Sequence, residues 1–269
     1  MKIKRKITYV VLVLIAFSFI NLNPYANAGS DFEKAMLKAK KNLKTAMNKS
    51  DQTLLTKSRG EFERILQLKE QPWLVNYYIA LADYGLAMNA SVVQKTDLIK
   101  KYTESGIDVL NKSIDENPEF ADSFVLLEAL NFNRWQYEQE KMQDIISATT
   151  SADESAKKLD ANNPRYVLVT GIAHFYTPTQ YGGGMDVCIP EFEKSIKLFE
   201  KRKEKSELYP DWGQDLAMGY LALSLISRND DGDMTKAKTF IDEAIKINPD
   251  SGFVSEYVMA EYKKNSTGK

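Results

Sequence analysis

The sequence contains one cysteine, Cys188, and one histidine, His174, among 269 residues. A single cysteine cannot form an internal disulfide, so the fold must be stabilised by packing. One histidine and one cysteine do not supply the nitrogen and sulfur ligands of a typical zinc site. The stretch closest to a calcium loop, RNDDGDMTKAK from Arg228, lacks the closing glutamate of an EF-hand. We therefore expect no metal and no cofactor.

The chain has little excess charge of either sign, with 36 basic and 37 acidic residues and a net charge of −1. The two signs are interspersed, without the basic patch that marks nucleic-acid binding. We expect no nucleic-acid partner.

Long hydrophobic runs are also scarce. Residues 7–20 form an apolar run of ~14 residues, short of the ~20 that a membrane-spanning helix needs. This run follows the basic opening MKIKRK and precedes Ala26-Asn27-Ala28, the order of a secretory signal peptide. We predict a signal peptide over 1–28 and an exported protein, periplasmic or otherwise extracytoplasmic, that is soluble after cleavage. An uncleaved anchor is the alternative. Cleavage removes four cations and no acids, so the net charge becomes −5.

What the sequence does have is a repeat. Four prolines, at 72, 118, 164 and 210, follow one another at intervals of 46 residues, and a further proline stands at 249. Proline suits the first turn of a helix and disfavours a helical residue before it. The positions eight residues later carry a recurring residue type, apolar or small in every unit: Ala80, Leu126, Ile172, Met218 and Tyr257. Such columns predict equivalent helices that bury the same face.

The periodic segments predict an all-α protein with an opening helix and five antiparallel helix pairs over 29–262, followed by a disordered tail over 263–269. The predicted helices are 32–48, 53–69, 73–90, 97–116, 119–138, 143–161, 165–176, 186–205, 211–227, 234–247 and 251–262.

The last unit, residues 211–262, resembles a tetratricopeptide repeat (TPR). It has a small residue, Gly219, in its first helix, then a polar Asp/Gly turn and the family's spaced residues Ala237, Phe240, Ala244 and Pro249. The resemblance implies a right-handed solenoid of helix pairs whose inner groove binds peptides or small ligands.

A glycine-rich stretch, FYTPTQYGGGMD from Phe175, interrupts the fourth pair. It lacks the preceding strand and the G-x-x-x-x-G-K-[ST] spacing of a phosphate loop, so we interpret it as a turn between helices. It also resembles a loop in the TPR subunits associated with tripartite ATP-independent periplasmic (TRAP) transporters. This resemblance implies that the protein is an accessory subunit of a solute transporter. Tyr176 and Tyr181 are candidates for the lip of a binding groove.

His174 and Cys188 flank this loop and could form a nucleophilic pair. No third group orients the pair, however, and Cys188 has the apolar neighbours of a buried cysteine. We expect a non-enzymatic protein, and an enzyme using this region is the alternative.

The tenth residue after three successive prolines is polar: Glu128, His174 and Tyr220. One hypothesis is that these side chains line the inner groove. The alternative is that they are packed between helices and hydrogen-bonded there. Trp135, beside Arg134, is a further candidate for surface recognition.

These features predict an exported TPR-like binding or scaffold protein. Its expected partner is an envelope protein, a peptide or a small solute, with a membrane transporter or a second copy of the chain as further partners.

Overall fold

The computed structural model describes residues 30–266, and the predicted signal peptide lies outside this range. In this range the chain forms eleven α-helices and no strand. The helices are α1 Asp31–Asn48, α2 Gln52–Leu66, α3 Pro72–Val92, α4 Thr96–Glu116, α5 Ala121–Asn133, α6 Met142–Asp160, α7 Pro164–Tyr176, α8 Met185–Lys201, α9 Gln214–Arg228, α10 Asp233–Ile247 and α11 Met259–Ser266. A π-helical turn, Phe253–Val258, leads into α11, and the two together are called the terminal helix. None of the helices between residues 30 and 266 combines the length and the apolar character needed to cross a bilayer.

Local sequence signals begin several of these helices. Ser30 and Glu33 form a reciprocal capping box at the start of α1, and the Asp51 side chain accepts a hydrogen bond from the amide of Leu54 at the start of α2. Pro72 and Pro164 are the first residues of α3 and α7. Helices α5 and α9 begin a few residues later than predicted, at Ala121 and Gln214, after Pro118 and Pro210.

The helices form two layers. Each odd-numbered helix contacts the next odd-numbered helix, and the even-numbered helices pack between them as a second layer. Helices of the second layer bury one stripe, such as Ile99, Thr103, Gly106, Leu110 and Ser113 on α4. Helix α3, by contrast, buries residues all around its circumference. This arrangement confirms the predicted α-solenoid.

The segment between α8 and α9, residues 202–213, lies across the odd-numbered layer, and we call it the strap. The predicted helix over 186–205 ends at Lys201 instead, and the chain then turns onto α1 and α3. The Lys40 ammonium donates to the carbonyl oxygens of Glu207 and Tyr209 at 2.5 and 2.6 Å. The Tyr78 hydroxyl donates to the carbonyl oxygen of Leu208 at 2.8 Å. The strap is thus held by its backbone as a bound peptide would be.

Side chains of the strap complete this attachment. Leu208 is buried in the core formed by α1 to α5, and the Trp212 indole donates to the Tyr77 hydroxyl at 2.9 Å. The Glu204 carboxylate pairs with the buried guanidinium of Arg165 at 2.6 Å. The groove over the first half of the solenoid is consequently filled by the protein's own chain.

The two ends of the solenoid also meet. The side chains of Asn48, at the end of α1, and Asn248, after α10, exchange hydrogen bonds of 3.0 and 3.1 Å. A Cβ added to Gly252 would lie 2.6 Å from the carbonyl oxygen of Asn48. The array therefore closes on itself.

Some predicted boundaries differ from the structure. Helix α5 ends at Asn133, and a 3-10 turn over Arg134–Gln136 replaces the end of the predicted helix 119–138. Helix α11 continues to Ser266, so the first four residues of the predicted tail, 263–266, are helical. The last three lie outside the described residues.

Candidate functional site

The three polar residues at equivalent positions do not share one surface. Glu128 is 3% exposed and Tyr220 is 7% exposed, while His174 is partly exposed. Tyr220 belongs to a cluster of aromatic rings. Glu128 and His174 belong to a separate group that also contains two other acidic side chains. The helices thus direct the same repeat position toward two different environments.

Tyr220, at the centre of α9, is surrounded by aromatic rings from three neighbouring elements. Its ring centroid lies 5.7 Å from that of Phe175, 5.8 Å from that of Phe192 and 5.0 Å from that of Phe253. The Tyr176 ring is 6.4 Å away. Offset and edge contacts at these distances are favourable and keep the rings in fixed positions.

Four tyrosine side chains near this cluster influence one another electrostatically. Burial raises the pKa of Tyr220 well above its usual value, and the neighbouring phenols of Tyr176 and Tyr84 raise it further. Burial and Tyr176 together raise the pKa of Tyr84 to about 12. Burial raises the pKa of Tyr257 too, and Tyr176 adds to the effect. Helices α3, α7, α9 and the terminal helix therefore each contribute one phenol to a group centred on Tyr176.

A cleft of about 420 Å³ opens beside these tyrosines, between α9 and the terminal helix, and we call it the aromatic cleft. Its apolar lining is Phe175, Leu223, Ile226 and Tyr257, and its polar lining is Ser227, Asn229, Glu261, Lys264 and Asn265. Tyr176 and Tyr257 are 57% and 55% exposed. The cleft therefore combines an apolar side that carries two aromatic rings with a larger number of polar side chains, and its volume suits a small molecule.

Glu128, Asp153, Glu191 and His174, from α5, α6, α8 and α7, form what we call the acidic cluster. The Nδ1 atom of His174 lies 2.8 Å from Glu191 Oε2. This hydrogen bond raises the pKa of His174 despite partial burial. Burial raises the pKa of Glu128 well above its usual value, and the nearby charges of Asp153 and Glu191 raise it further. Both effects favour the protonated form of Glu128.

The alternative of a His174–Cys188 nucleophilic pair finds little support in this geometry. Cys188 is fully buried, with its Sγ atom 3.4 Å from the hydroxyl oxygen of Ser224. Burial raises the pKa of its thiol, which is opposite to the change that activates a cysteine. The His174 imidazole is instead bonded to Glu191.

The glycine loop connects α7 to α8, and its amide groups are used within the loop. The amides of Gly182, Gly183 and Gly184 donate to the carbonyl oxygens of Thr179, Pro178 and His174. A Cβ on Gly183 would lie 2.1 Å from the carbonyl oxygen of Thr177, so this position requires glycine. The loop is a turn whose amides do not face outward to a phosphate. Tyr181 lies at its tip and is 76% exposed.

Trp135 lies in the 3-10 turn between α5 and α6 and is half-buried.

The sequence patterns did not single out Tyr84, Tyr257 or Phe175 as site residues, although all three help to form the tyrosine group and the cleft. A signal existed for one of them, because Tyr84 and Tyr176 both stand twelve residues after a repeat proline. Across residues 30–266, no group of three or more His, Cys, Asp or Glu side chains could hold a metal ion.

The layered helix pairs define the chain as a TPR-like α-solenoid protein. No protein-family model matches the sequence, and neither does any curated protein. Solved structures share the fold. The HusA haemophore from Porphyromonas gingivalis matches with a TM-score of 0.63 and 20% identity, over 73% of this chain and 94% of its own. A thermophilic TPR protein from Thermus thermophilus matches with a TM-score of 0.52 and 12% identity, over 85% of this chain and 98% of its own.

Proposed function

We propose that this protein is an exported, non-enzymatic binding protein that holds a small, flat and largely apolar ligand in the aromatic cleft. The observation that carries the proposal is the cleft itself. Phe175 and Tyr257 in its lining, with the exposed ring of Tyr176 beside it, provide stacking surface, and the polar side chains of the lining provide hydrogen-bonding groups. The signal-peptide pattern of residues 1–28 supports export.

The strap favours a small ligand over an extended peptide. A peptide in the groove over α1, α3 and α5 would need the positions that the strap backbone and Leu208 occupy. The aromatic cleft, at the other end of the solenoid, is not covered by the strap. Binding there requires no rearrangement of the core.

The solved structure of a haemophore with the same fold suggests a first probe. A porphyrin is flat and apolar, and tyrosine is one of the side chains that can ligate haem iron. Haemin tests for binding of the flat ring and for ligation of the iron by tyrosine, whereas iron-free protoporphyrin tests for binding of the ring alone.

The test is a titration of residues 29–269 with haemin and, separately, with protoporphyrin, followed by ligand absorbance and protein fluorescence. We expect saturable binding with one ligand per chain. Tyr176→Ala and Tyr257→Ala should each weaken it about tenfold or more, because a stacking contact is worth ~1–3 kcal/mol. Tyr102→Ala, on α4 and outside the cleft, is the matched control. The proposal would be refuted if neither probe bound saturably, or if all three variants bound with equal affinity.

A protein partner is the second candidate, and an exposed apolar edge favours it. Val92 and Val93 lie at the end of α3, and Met142 and Ile146 lie on the first turns of α6; all four are exposed. The Ser91 hydroxyl donates to the side-chain oxygen of Gln136 at 2.5 Å, which joins the end of α3 to the 3-10 turn after α5. This edge could accept an envelope protein, including a TRAP-type transporter component. Affinity capture from the native envelope with wild type and with Val92→Asp/Met142→Asp tests this; capture that survives the substitutions would argue against it.

A further inference from the structure

The carboxyl group of Glu128 is buried without a partner. Its Oε2 atom is inaccessible to solvent and makes no hydrogen bond within the described residues. Buried carboxyl groups normally have a hydrogen-bond donor or an opposite charge beside them, because their transfer from water is costly. The lone position of this group in the middle of the fold therefore calls for a physical explanation.

The groups that face Glu128 increase the imbalance. Asp153 on α6 and Glu191 on α8 both act on its carboxyl group. Burial raises the pKa of the Tyr166 phenol on α7, and its hydrogen bond to Asp153 and the charges of Asp153 and Glu128 raise it further. The basic group that accompanies these acids is His174, and Glu191 already binds it. Three carboxyl groups thus share one imidazole.

One neutral polar group lies near Asp153 on the same helix. The hydroxyl of Thr149, one helical turn before Asp153 on α6, is also buried without a hydrogen-bond partner among the described residues. The side chain of Glu191 is 25% exposed and that of His174 is 33% exposed, so the cluster has one accessible side with Glu128 at its inner end. The arrangement thus has an unpartnered buried carboxyl oxygen at Glu128 and neighbouring polar side chains that reach solvent.

We propose that the acidic cluster is a binding site for an organic cation, an ammonium or guanidinium group of a small molecule that reaches Glu128 between Asp153 and Glu191. A nitrogen cation with several N–H groups can donate to carboxylates that are spread apart, through charge-assisted hydrogen bonds. A metal ion fits less well, because across residues 30–266 no three such side chains stand close enough to coordinate one. The site is separate from the aromatic cleft, and the inference does not rest on the proposed ligand of that cleft.

Binding of a cation should be coupled to release of a proton. Burial and the neighbouring acids favour the protonated form of Glu128, whereas an incoming cation favours the charged carboxylate, so binding should release a proton to solvent. Affinity should therefore increase as the pH rises above the usual pKa of a glutamate. Loss of the His174 proton at higher pH removes a competing positive charge from Glu191 and acts in the same direction.

The experiment is calorimetric titration of residues 29–269 with agmatine, which carries a guanidinium and an ammonium group, with putrescine, and with calcium chloride. We expect saturable binding of agmatine or putrescine, with proton release measured in buffers of different ionisation enthalpy. Glu128→Gln and, separately, Glu191→Gln should each weaken binding at least tenfold. Glu154→Gln, an exposed acid next to Asp153 in sequence, is the matched control and should bind as wild type does.

Two results would overturn the inference. One is the lack of saturable binding by either amine at pH 8, and the other is binding that is unchanged in both Glu128→Gln and Glu191→Gln. Saturation by calcium but by neither amine would assign the site to a metal ion and contradict the organic cation. Tyr176→Ala should bind the amines normally, so a failure of the aromatic cleft and a failure of this site are distinguishable.

Discussion

His174 is the residue whose titration can be followed without ambiguity, because the chain has one histidine. Its hydrogen bond to Glu191 raises its pKa in the folded state, and burial opposes part of this increase. A raised folded pKa means that the protonated imidazole stabilises the fold below the unfolded pKa of about 6.5. This contribution is lost as the pH rises through the higher folded value.

We predict that NMR titration of the imidazole will give a pKa above about 6.5 in the wild-type protein. In Glu191→Gln the pKa should fall, because the hydrogen bond to a charged acceptor is removed while the burial remains. Glu193→Gln, on an exposed position of α8, should leave the pKa unchanged. An equal pKa in wild type and Glu191→Gln would show that the contact does not exist in solution.

Glu128 leads to the opposite dependence on pH. An acid with a raised folded pKa lowers the stability of the fold as the pH rises above its unfolded value of about 4.3, since folding must then retain a proton or bury a charge. Glu128→Gln should therefore increase the free energy of unfolding at pH 8, by about 1.4 kcal/mol for each unit by which folding raises the pKa, because glutamine does not ionise.

This gain should shrink toward zero near pH 4, and denaturant unfolding at both pH values measures it. Glu154→Gln should change stability by less than about 0.5 kcal/mol at either pH, as exposed substitutions usually do. A loss of stability in Glu128→Gln at pH 8 would indicate a charged, well-paired Glu128 instead.

Among the elements, the strap is held by specific anchors from several helices. The buried guanidinium of Arg165 lies 2.5 Å from Asp122 and 2.6 Å from Glu204 of the strap, so it joins α7 to α5 and to the strap. Arg165→Ala should destabilise the protein by about 3–5 kcal/mol, because it leaves the buried Asp122 without its counter-charge. Arg202→Ala removes partly exposed pairs with Asp160 and Glu204 and should cost about 1 kcal/mol or less. Thermal or denaturant unfolding compares the two, and similar losses would contradict the role of Arg165.

The helices could be predicted from the sequence because their signals are local. The 46-residue proline period and the caps at Ser30 and Asp51 act within a few residues, and the buried columns follow from helical geometry. The strap could not be predicted in this way. Its sequence, RKEKSELYPDWG, has no period, and its structure depends on Lys40, Tyr78 and Arg165, which are far away in the chain.

The same limit applies to the candidate site. The repeat places Glu128, His174 and Tyr220 at equivalent positions. Periodicity, however, gives no information on which neighbouring residues each side chain contacts. Tyr257 illustrates this, since the column predicts a buried residue and the structure exposes more than half of its side chain. The shorter last interval, 39 rather than 46 residues, shifts the register of this final unit.

At the scale of the whole molecule, closure of the array depends on a close backbone approach at Gly252. Gly252→Ala should force the end of α1 away from the terminal helix, because the new Cβ would overlap the carbonyl oxygen of Asn48. We expect a loss of about 1–3 kcal/mol and faster amide hydrogen exchange at the end of α1. Gly60→Ala in α2, where the nearest atoms belong to flexible side chains, should instead stabilise by about 0.5–1 kcal/mol. Stability equal to wild type in Gly252→Ala would mean that the ends are free to separate.

The strap also determines how the molecule can fold. In an open repeat array each unit contacts its neighbours alone, so folding can begin anywhere and proceed unit by unit. Here Tyr78 is bonded to a residue 130 positions later, and Lys40 to one 169 positions later. Contacts of such high order slow folding and make it cooperative. The first three helix pairs therefore cannot complete their core until the ribosome has synthesised the strap, and a chain released before that point would expose the surface that Leu208 covers.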